Sequence, residues 1–302
     1  MKAKDNTTKF TKKRMRAVFP ICIQSLLVLW SAIFLFLLGW GVIQSLKDPV
    51  GFYMNPMSLP MEEYGGIKFG NYKMAFEKMR IRTAGKWVLF PEMLFNSLVY
   101  CIGYSFVGLV SPMLCSYIYA KYSKKVPWVK VVWILLLVNM YVPLSASLAA
   151  SLNLVMSLGL YDKIWLFWLS SCNGFGGSFL IYYATWKSVS WEYAEAALID
   201  GASDWTVLWR VMFPMTRTVF LVLYLTAIIA HWVDYTTPMV YLPSTPTLAY
   251  GVFAFQSNTE SGASSMPIKL ASLIAVAIPM FTLFLIFRDK MMGSLTVGGL
   301  KG

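Results

Sequence analysis

Long apolar segments alternate with shorter polar ones along most of this 302-residue chain. Each apolar segment is long enough to cross the hydrocarbon core of a bilayer as a helix of about 20 residues. The segments are continuously apolar, whereas the strands of a membrane β-barrel alternate between apolar and polar residues. We therefore predict an all-α polytopic membrane protein with six transmembrane helices. The predicted spans are Phe19–Leu46, Leu94–Ala120, Val129–Ala150, Ile164–Trp186, Thr218–Val240 and Ile268–Phe287.

The same pattern predicts how the chain is divided. The predicted parts are a basic cytoplasmic tail (1–18), the first helix (19–46), an extracytoplasmic loop (47–91), a transmembrane domain with the other five helices (92–288) and a cytoplasmic C-terminal tail (289–302). The loop can be a mobile connection or a cap that helps to seat an extracytoplasmic partner, and the sequence leaves both alternatives open.

Composition and charge support a membrane protein. Hydrophobic residues make up 58% of the chain and charged residues only 13%, against about 25% charged in soluble domains. The net charge of +12 is concentrated beside the predicted spans, above all in the first sixteen residues and in the 121–130 loop. Such clustering follows the positive-inside rule and places both termini in the cytoplasm. Because no soluble domain is predicted to carry the charge, nucleic-acid binding is excluded.

Chemical motifs that would indicate an enzyme are missing from the sequence. The four cysteines lie in apolar segments, as buried small residues do, and His231 is the single histidine. We therefore predict no metal site. The sequence has no Gly-x4-Gly-Lys-Ser/Thr phosphate loop, so the chain is not expected to hydrolyse ATP or to hold a cofactor itself. Metalloprotease and serine-hydrolase motifs are missing as well.

One polar stretch, 188–214, interrupts the apolar second half of the chain. Its residues predict a helix, a sharp turn and a second helical run as far as Pro214, where a bend or a new helix start is expected. Ser188 or Ser190 can cap the first helix. Gly201 can stop it at a positive φ, and Ser203 can cap the second. A short acidic helix between two spans is suited to contact a partner protein.

From Glu195 to Pro214 the sequence reads EAALIDGASDWTVLWRVMFP, which resembles the EAA motif of ABC-importer permeases (EAA-x3-G-x9-I-x-L-P). Val211 and Phe213 replace the Ile and Leu of that motif. In that family the motif forms the coupling helix, which sits in a groove of the cytoplasmic ATPase subunit. The resemblance implies a type I ABC importer transmembrane fold. It assigns contact with the ATPase to Glu195, Ala196, Ala197, Asp200, Gly201 and Pro214.

Two further segments resemble the carbohydrate-type members of this family. Residues His231–Tyr235 resemble their Trp-Asn-Asp-Phe segment, and Gly293–Gly302 resembles their glycine-rich ending. The resemblance implies a permease subunit of an importer in a bacterial-type cell membrane that takes up a mono- or oligosaccharide or related polyol. The implied partners are a second permease subunit, two cytoplasmic ATPase subunits that bind ATP-Mg, and an extracytoplasmic solute-binding protein.

Three residues are candidates for the substrate pathway. Asp234 is the only acid predicted inside a span, where a carboxylate is costly and marks either a ligand contact or a structural pair. Trp232 can stack on a sugar ring or anchor the helix at the interface. Asn139 needs a hydrogen-bonding partner within the bundle.

Two alternatives to this function stay open. An ion-gradient-driven secondary transporter would show several intramembrane acids or inverted repeats, and neither is evident in the sequence. An ABC permease for a solute other than a sugar would share the EAA motif. Co-purification of an ATPase would distinguish an ABC importer from a secondary transporter. The ligand of the binding protein would distinguish a saccharide importer from an importer of another solute.

Overall fold

The computed structural model of the protein describes most of the chain. The described residues are 2–83, 85–123, 131, 133–135, 138, 148–174, 176–257 and 265–295. They group into two compact units, one of residues 1–75 with 260–274 and the other of residues 76–259 with 275–302. The fold is almost entirely helical, as the apolar pattern predicted.

Thirteen α-helices are found in the described residues. In chain order they are α1 (Lys2–Ser45), α2 (Pro49–Met54), α3 (Gly70–Lys78), α4 (Phe90–Tyr122), α5 (Leu148–Ser157), α6 (Ile164–Phe167), α7 (Gly177–Ser188), α8 (Glu192–Ile199), α9 (Asp204–Thr206), α10 (Phe213–Trp232), α11 (Thr236–Tyr241), α12 (Leu248–Ser257) and α13 (Met266–Leu295). Single 3-10 turns lie at Glu62–Tyr64 and Trp168–Ser171, and a π-helical turn at Val207–Met212. Strands β1 (Ile81–Thr83) and β2 (Lys86–Val88) form an antiparallel hairpin with Arg82 opposite Trp87.

Four helical segments in the described part of the chain are long and apolar enough to cross a membrane. They are Phe19–Ser45, Phe90–Tyr122, Asp204–Trp232 and Met266–Asp289. The third predicted span, Val129–Ala150, lies mostly outside the described residues. The predicted basic tail and first span form one helix, α1, and α13 continues into the predicted C-terminal tail as far as Leu295.

The first unit contains a folded stretch directly after α1. The Lys47 side chain is fully buried, and its ammonium group donates to the carbonyl oxygens of Asn55 and, at 2.9 Å, Ser58. The Asn71 amide donates to the carbonyls of Ser45 and Lys47, at 2.8 Å each. These bonds satisfy buried polar groups, so this part of the predicted 47–91 loop is a folded segment.

The fourth predicted span, Ile164–Trp186, is interrupted by a non-helical stretch. Helix α6 and one 3-10 turn end at Ser171, and α7 begins only at Gly177. A Cβ atom at Gly174 would lie 3.0 Å from the Cys115 sulfur on α4. The close approach of the chain to α4 and the glycines in this stretch explain why it leaves the helical conformation.

The fifth predicted span, Thr218–Val240, was displaced toward the C-terminus, whereas the new helix start expected at Pro214 is observed, because α10 begins at Phe213. Helical structure is continuous from Asp204 to Trp232. Pro214 lies in the first turn of α10, directly after the π-helical turn, where its missing N–H does not break the helix. Asp234 therefore follows the span, and the prediction that it lies inside one was wrong.

Candidate functional site

Residues 188–214, which we call the elbow, contain two short helices joined by a turn. Of the two predicted caps, Ser190 acts at this end: its Oγ accepts a hydrogen bond from the Glu192 amide at 3.3 Å, although the N-cap position of α8 itself is Trp191. Ser203 Oγ accepts from the Thr206 amide at 3.3 Å and caps α9. Local side-chain chemistry thus defines where both helices begin.

The turn between α8 and α9 is a Schellman motif centred on Gly201. Gly201 has φ +83°. Its amide donates to the Leu198 carbonyl at 3.0 Å, and the Ala202 amide donates to the Ala197 carbonyl at 2.9 Å. These two bonds satisfy the last carbonyls of α8, and they require a residue that tolerates positive φ four positions after Ala197. The spacing between the alanines and the glycine of the EAA motif is therefore the spacing of a helix C-cap.

One face of α8 packs into the protein. Ala194 is fully buried, and Ala197 packs against the same cluster. The other buried members of the cluster come from α4 (Leu109, Met113, Tyr117), α7 (Tyr182, Trp186), the π-helical turn (Val207, Leu208, Met212) and α10 (Phe220). Small side chains on α8 let its backbone approach this cluster closely, which fixes the helix to the transmembrane helices.

The opposite face of α8 is exposed. It carries Glu195 and Ala196, and the turn exposes Asp200 and Gly201. The most exposed large apolar side chains of the elbow are also found there: Ile199 is 85% exposed and Trp205 is 64% exposed. The sequence prediction overlooked both, although a large apolar residue within a polar stretch was the available signal. Carboxylates beside exposed apolar side chains are typical of a surface that binds a partner protein.

Polar contacts join the elbow to the end of α4. Lys121 Nζ donates to the Val189 carbonyl at 2.7 Å and lies 5.8 Å from the centre of the Trp191 ring. The Tyr122 hydroxyl donates to Asp204 Oδ1 at 2.7 Å. The sequence gives no sign of these contacts, because Lys121 and Val189 are 68 residues apart and Tyr122 and Asp204 are 82 residues apart.

A second polar cluster surrounds Asp234, just beyond α10. Its Oδ2 accepts a hydrogen bond from the Tyr100 hydroxyl at 3.2 Å, and its Oδ1 accepts from the Thr237 amide at 3.1 Å. The His231 ring lies edge-on to the Tyr104 ring, with centres 4.9 Å apart. A partly exposed carboxylate among hydroxyl, imidazole and aromatic groups can bind a hydroxylated ligand.

Trp232, a second pathway candidate, does not take part in this cluster. Trp232 is only 3% exposed, and its indole N–H donates to the Val276 carbonyl of α13 at 3.0 Å. The chain itself therefore covers the ring, which favours packing over stacking on a sugar. Asn139 lies outside the described residues.

Comparison with known proteins relates this site to a family. Residues 113–290, which include the elbow, match the family described as binding-protein-dependent transport system inner membrane component. That range is more than half of the chain. The resemblance suggested by the EAA motif is thereby confirmed.

Several full-length relatives carry the names of sugar transport permeases. The diacetylchitobiose uptake system permease protein NgcG of Streptomyces coelicolor is 23% identical over 93% of this chain and 88% of that protein. The maltodextrin transport system permease protein MdxG of Bacillus subtilis is 28% identical over 72% of this chain and 82% of that protein. The arabinooligosaccharides transport system permease protein AraQ of Bacillus subtilis is 24% identical over 95% of this chain and 97% of that protein.

A solved structure has the same fold. It is a chain of a bacterial ABC transporter involved in the import of the acidic polysaccharide alginate, with a TM-score of 0.73 and 19% sequence identity. The match covers 90% of this chain and 96% of that chain. The transmembrane fold predicted from the resemblance is confirmed.

Proposed function

This chain belongs to the family of binding-protein-dependent transport system inner membrane components, and we propose that it is the permease subunit of an ATP-driven importer for a saccharide. It is a multi-pass membrane protein and a transport permease, which is not itself an enzyme. The names of its relatives, which transport chitobiose, maltodextrin and arabinooligosaccharides, support an oligosaccharide substrate.

The family description names a binding protein, and we propose the other parts of the assembly. An extracytoplasmic solute-binding protein delivers the saccharide, and a second permease subunit completes the pathway. Two cytoplasmic ATPase subunits bind ATP with Mg²⁺, while this chain holds no cofactor. Each ATPase subunit contacts the elbow of one permease subunit.

The observation that carries this proposal is the geometry of the elbow. Ala194 anchors α8 in the protein, the Schellman motif fixes the turn, and Glu195 and Ile199 remain exposed. A short helix held in this way moves as a rigid body when a partner pushes it, and transitions of membrane transporters use such rigid-body movements. Closure of the ATPase dimer would then tilt the spans attached to the elbow. This tilt would change the side of the membrane to which the substrate pathway is open.

The Glu195→Lys variant tests this role. The Glu195 carboxylate is exposed and free to pair with a basic residue of the ATPase groove, and breaking a desolvated charge pair at an interface costs about 2 kcal/mol or more, roughly thirtyfold in affinity. We expect the variant to insert normally, to lose most of the ATPase subunit on co-purification and to lose uptake. The same charge reversal at exposed Glu63, in the first unit, is the control and should retain the ATPase subunit on co-purification.

Two outcomes would contradict the proposal. Normal uptake by Glu195→Lys in membranes with matched expression would exclude the elbow as the coupling site. Purification of a functional transporter without any ATPase subunit would favour a secondary transporter. If the complex contains the ATPase but its binding protein captures a solute other than a saccharide, only the substrate assignment is wrong.

A further inference from the structure

The elbow has two arms, α8 and α9, and two neighbouring residues at the end of α4 hold both of them. Lys121 bonds to the Val189 carbonyl, just before α8, and Tyr122 bonds to Asp204, at the start of α9. The turn at Gly201 lies between these two points of attachment. Any displacement of α8 and the turn must therefore stretch or carry along the end of α4. We call Lys121, Tyr122, Val189 and Asp204 the clasp.

The two arms of the elbow are packed differently. On the α8 side, Ala194 is fully buried against the common cluster. On the α9 side, a cavity of about 390 Å³ lies between α4 and the start of α9, and its lining includes Ile118, Trp205 and Leu208. Close packing transmits force along the first arm. None of the three residues of α9 is buried, and only the turn that follows, with Val207 and Leu208, joins the cluster, which makes the Tyr122–Asp204 hydrogen bond a main link between α9 itself and α4.

The π-helical turn that follows reinforces this dependence. Val207–Met212 has wider hydrogen bonding than an α-helix, and such turns occur often at functional sites. A movement of the elbow can be absorbed within this turn before it reaches α10. The bond from Asp204 to Tyr122 bypasses the turn and connects the elbow directly to the 33-residue helix α4.

We propose that Tyr122 and Asp204 are positioning residues that transmit the movement of the elbow to α4, with Lys121 holding the other arm. This inference rests on the proposed function, because it assumes that an ATPase moves the elbow. The bond joins a phenol to a carboxylate, and hydrogen bonds to charged groups are stronger than those between neutral groups. Its loss should weaken coupling while the subunit still folds and binds the ATPase.

The test uses the complete complex, with its ATPase and binding protein, reconstituted into proteoliposomes. ATP hydrolysis and uptake of the transported solute are measured together, and their ratio gives the ATP consumed per molecule transported. Tyr122→Phe keeps the ring and removes only the hydroxyl. We expect this ratio to rise about fivefold, the effect of losing one partly exposed hydrogen bond of this type.

The Asp204 variants refine the prediction. Asp204→Ala removes the acceptor and should raise the ratio as much as Tyr122→Phe. Asp204→Asn keeps an oxygen acceptor and should restore most of the coupling. The matched control is Tyr224→Phe, since the Tyr224 hydroxyl of α10 donates to the Ile102 carbonyl of α4 at 3.1 Å. This control also removes a hydrogen bond to α4, but one that comes from α10 and lies away from the elbow. The ratio of ATP hydrolysed to solute transported should therefore be unchanged.

The outcomes distinguish a failure of the clasp's role in coupling from a failure of the proposed function. If Glu195→Lys abolishes ATPase binding but Tyr122→Phe and Asp204→Ala leave the ratio unchanged, the clasp has no role in coupling and the proposed function stands. If Tyr224→Phe raises the ratio as much as Tyr122→Phe, the effect is a general loss of helix packing and the inference is overturned. If no ATPase binds the unmodified complex, the proposed function fails first.

Discussion

Replacing Gly201 with alanine tests whether the turn of the elbow needs the backbone freedom of glycine. At φ +83° a residue with a Cβ atom is in the left-handed region, which costs about 1–2 kcal/mol. A Cβ atom built on Gly201 meets no heavy atom within 4 Å, so steric overlap adds nothing to this cost. Asparagine tolerates this conformation better than alanine. We expect about 1 kcal/mol of strain for Gly201→Ala and less for Gly201→Asn.

The strain should appear as impaired coupling. A free energy of about 1 kcal/mol corresponds to roughly a fivefold shift between the observed turn and other turn geometries. The ratio of elbows that present Glu195 at a wrong angle to those in the observed turn would then rise by about that factor. The assay is ATPase co-purification and the ratio of ATP hydrolysed to solute transported, with the thermal unfolding midpoint measured in parallel.

Gly159 provides a closely matched control. It has φ +68°, its added Cβ also meets no atom within 4 Å, and it ends α5 with the same pair of Schellman bonds, from Gly159 to Met156 and from Leu160 to Val155, at 3.0 Å each. Gly159→Ala should therefore cost a similar amount of stability without changing coupling. The reasoning is refuted if Gly159→Ala impairs coupling as much as Gly201→Ala, or if Gly201→Asn is no better than Gly201→Ala.

Two further predictions concern helix packing. An added Cβ at Gly103 would lie 1.9 Å from the Trp168 ring, whereas one at Gly108 would meet its nearest atom at 3.4 Å. Gly103→Ala should therefore destabilise the protein by about 1–3 kcal/mol and Gly108→Ala by much less, as measured by thermal unfolding; equal midpoints would contradict the close packing. Trp232→Phe removes the bond to the Val276 carbonyl and should cost about 1 kcal/mol without changing the KM of uptake. A raised KM would instead place Trp232 in the substrate pathway.

Local signals predicted the elbow because its geometry is made by residues close in sequence. Ser190 accepts a hydrogen bond from the amide two residues later, and Ser203 accepts one from the amide three residues later. Gly201 closes the turn because its amide donates to the Leu198 carbonyl of the preceding helix. The same holds for the long apolar helices, whose length and composition follow from the thickness of the bilayer. The family was predicted from the resemblance of residues 195–214 to the EAA motif, and the cap geometry explains only the spacing within that motif.

Features that depend on contacts between distant segments were missed or misplaced. The break before Gly177 reflects the approach of Gly174 to Cys115 on another helix. Trp232 matched a substrate-pathway pattern in the sequence, yet in the fold its ring is covered and its N–H is bonded to Val276 of α13. Nothing near Asp204 in the sequence indicates that Tyr122 is its partner.

The sequence alone therefore determined that this protein is a helical membrane protein with an acidic elbow between two spans, because bilayer thickness and helix capping act on neighbouring residues. That it is a permease was predicted from the resemblance of the elbow to a known motif. Only the tertiary structure decided which face of the elbow is buried, where the helices are interrupted and which residues of α4 hold the elbow. Those properties arise from side chains that lie tens of residues apart and are brought together by packing, which no local pattern records.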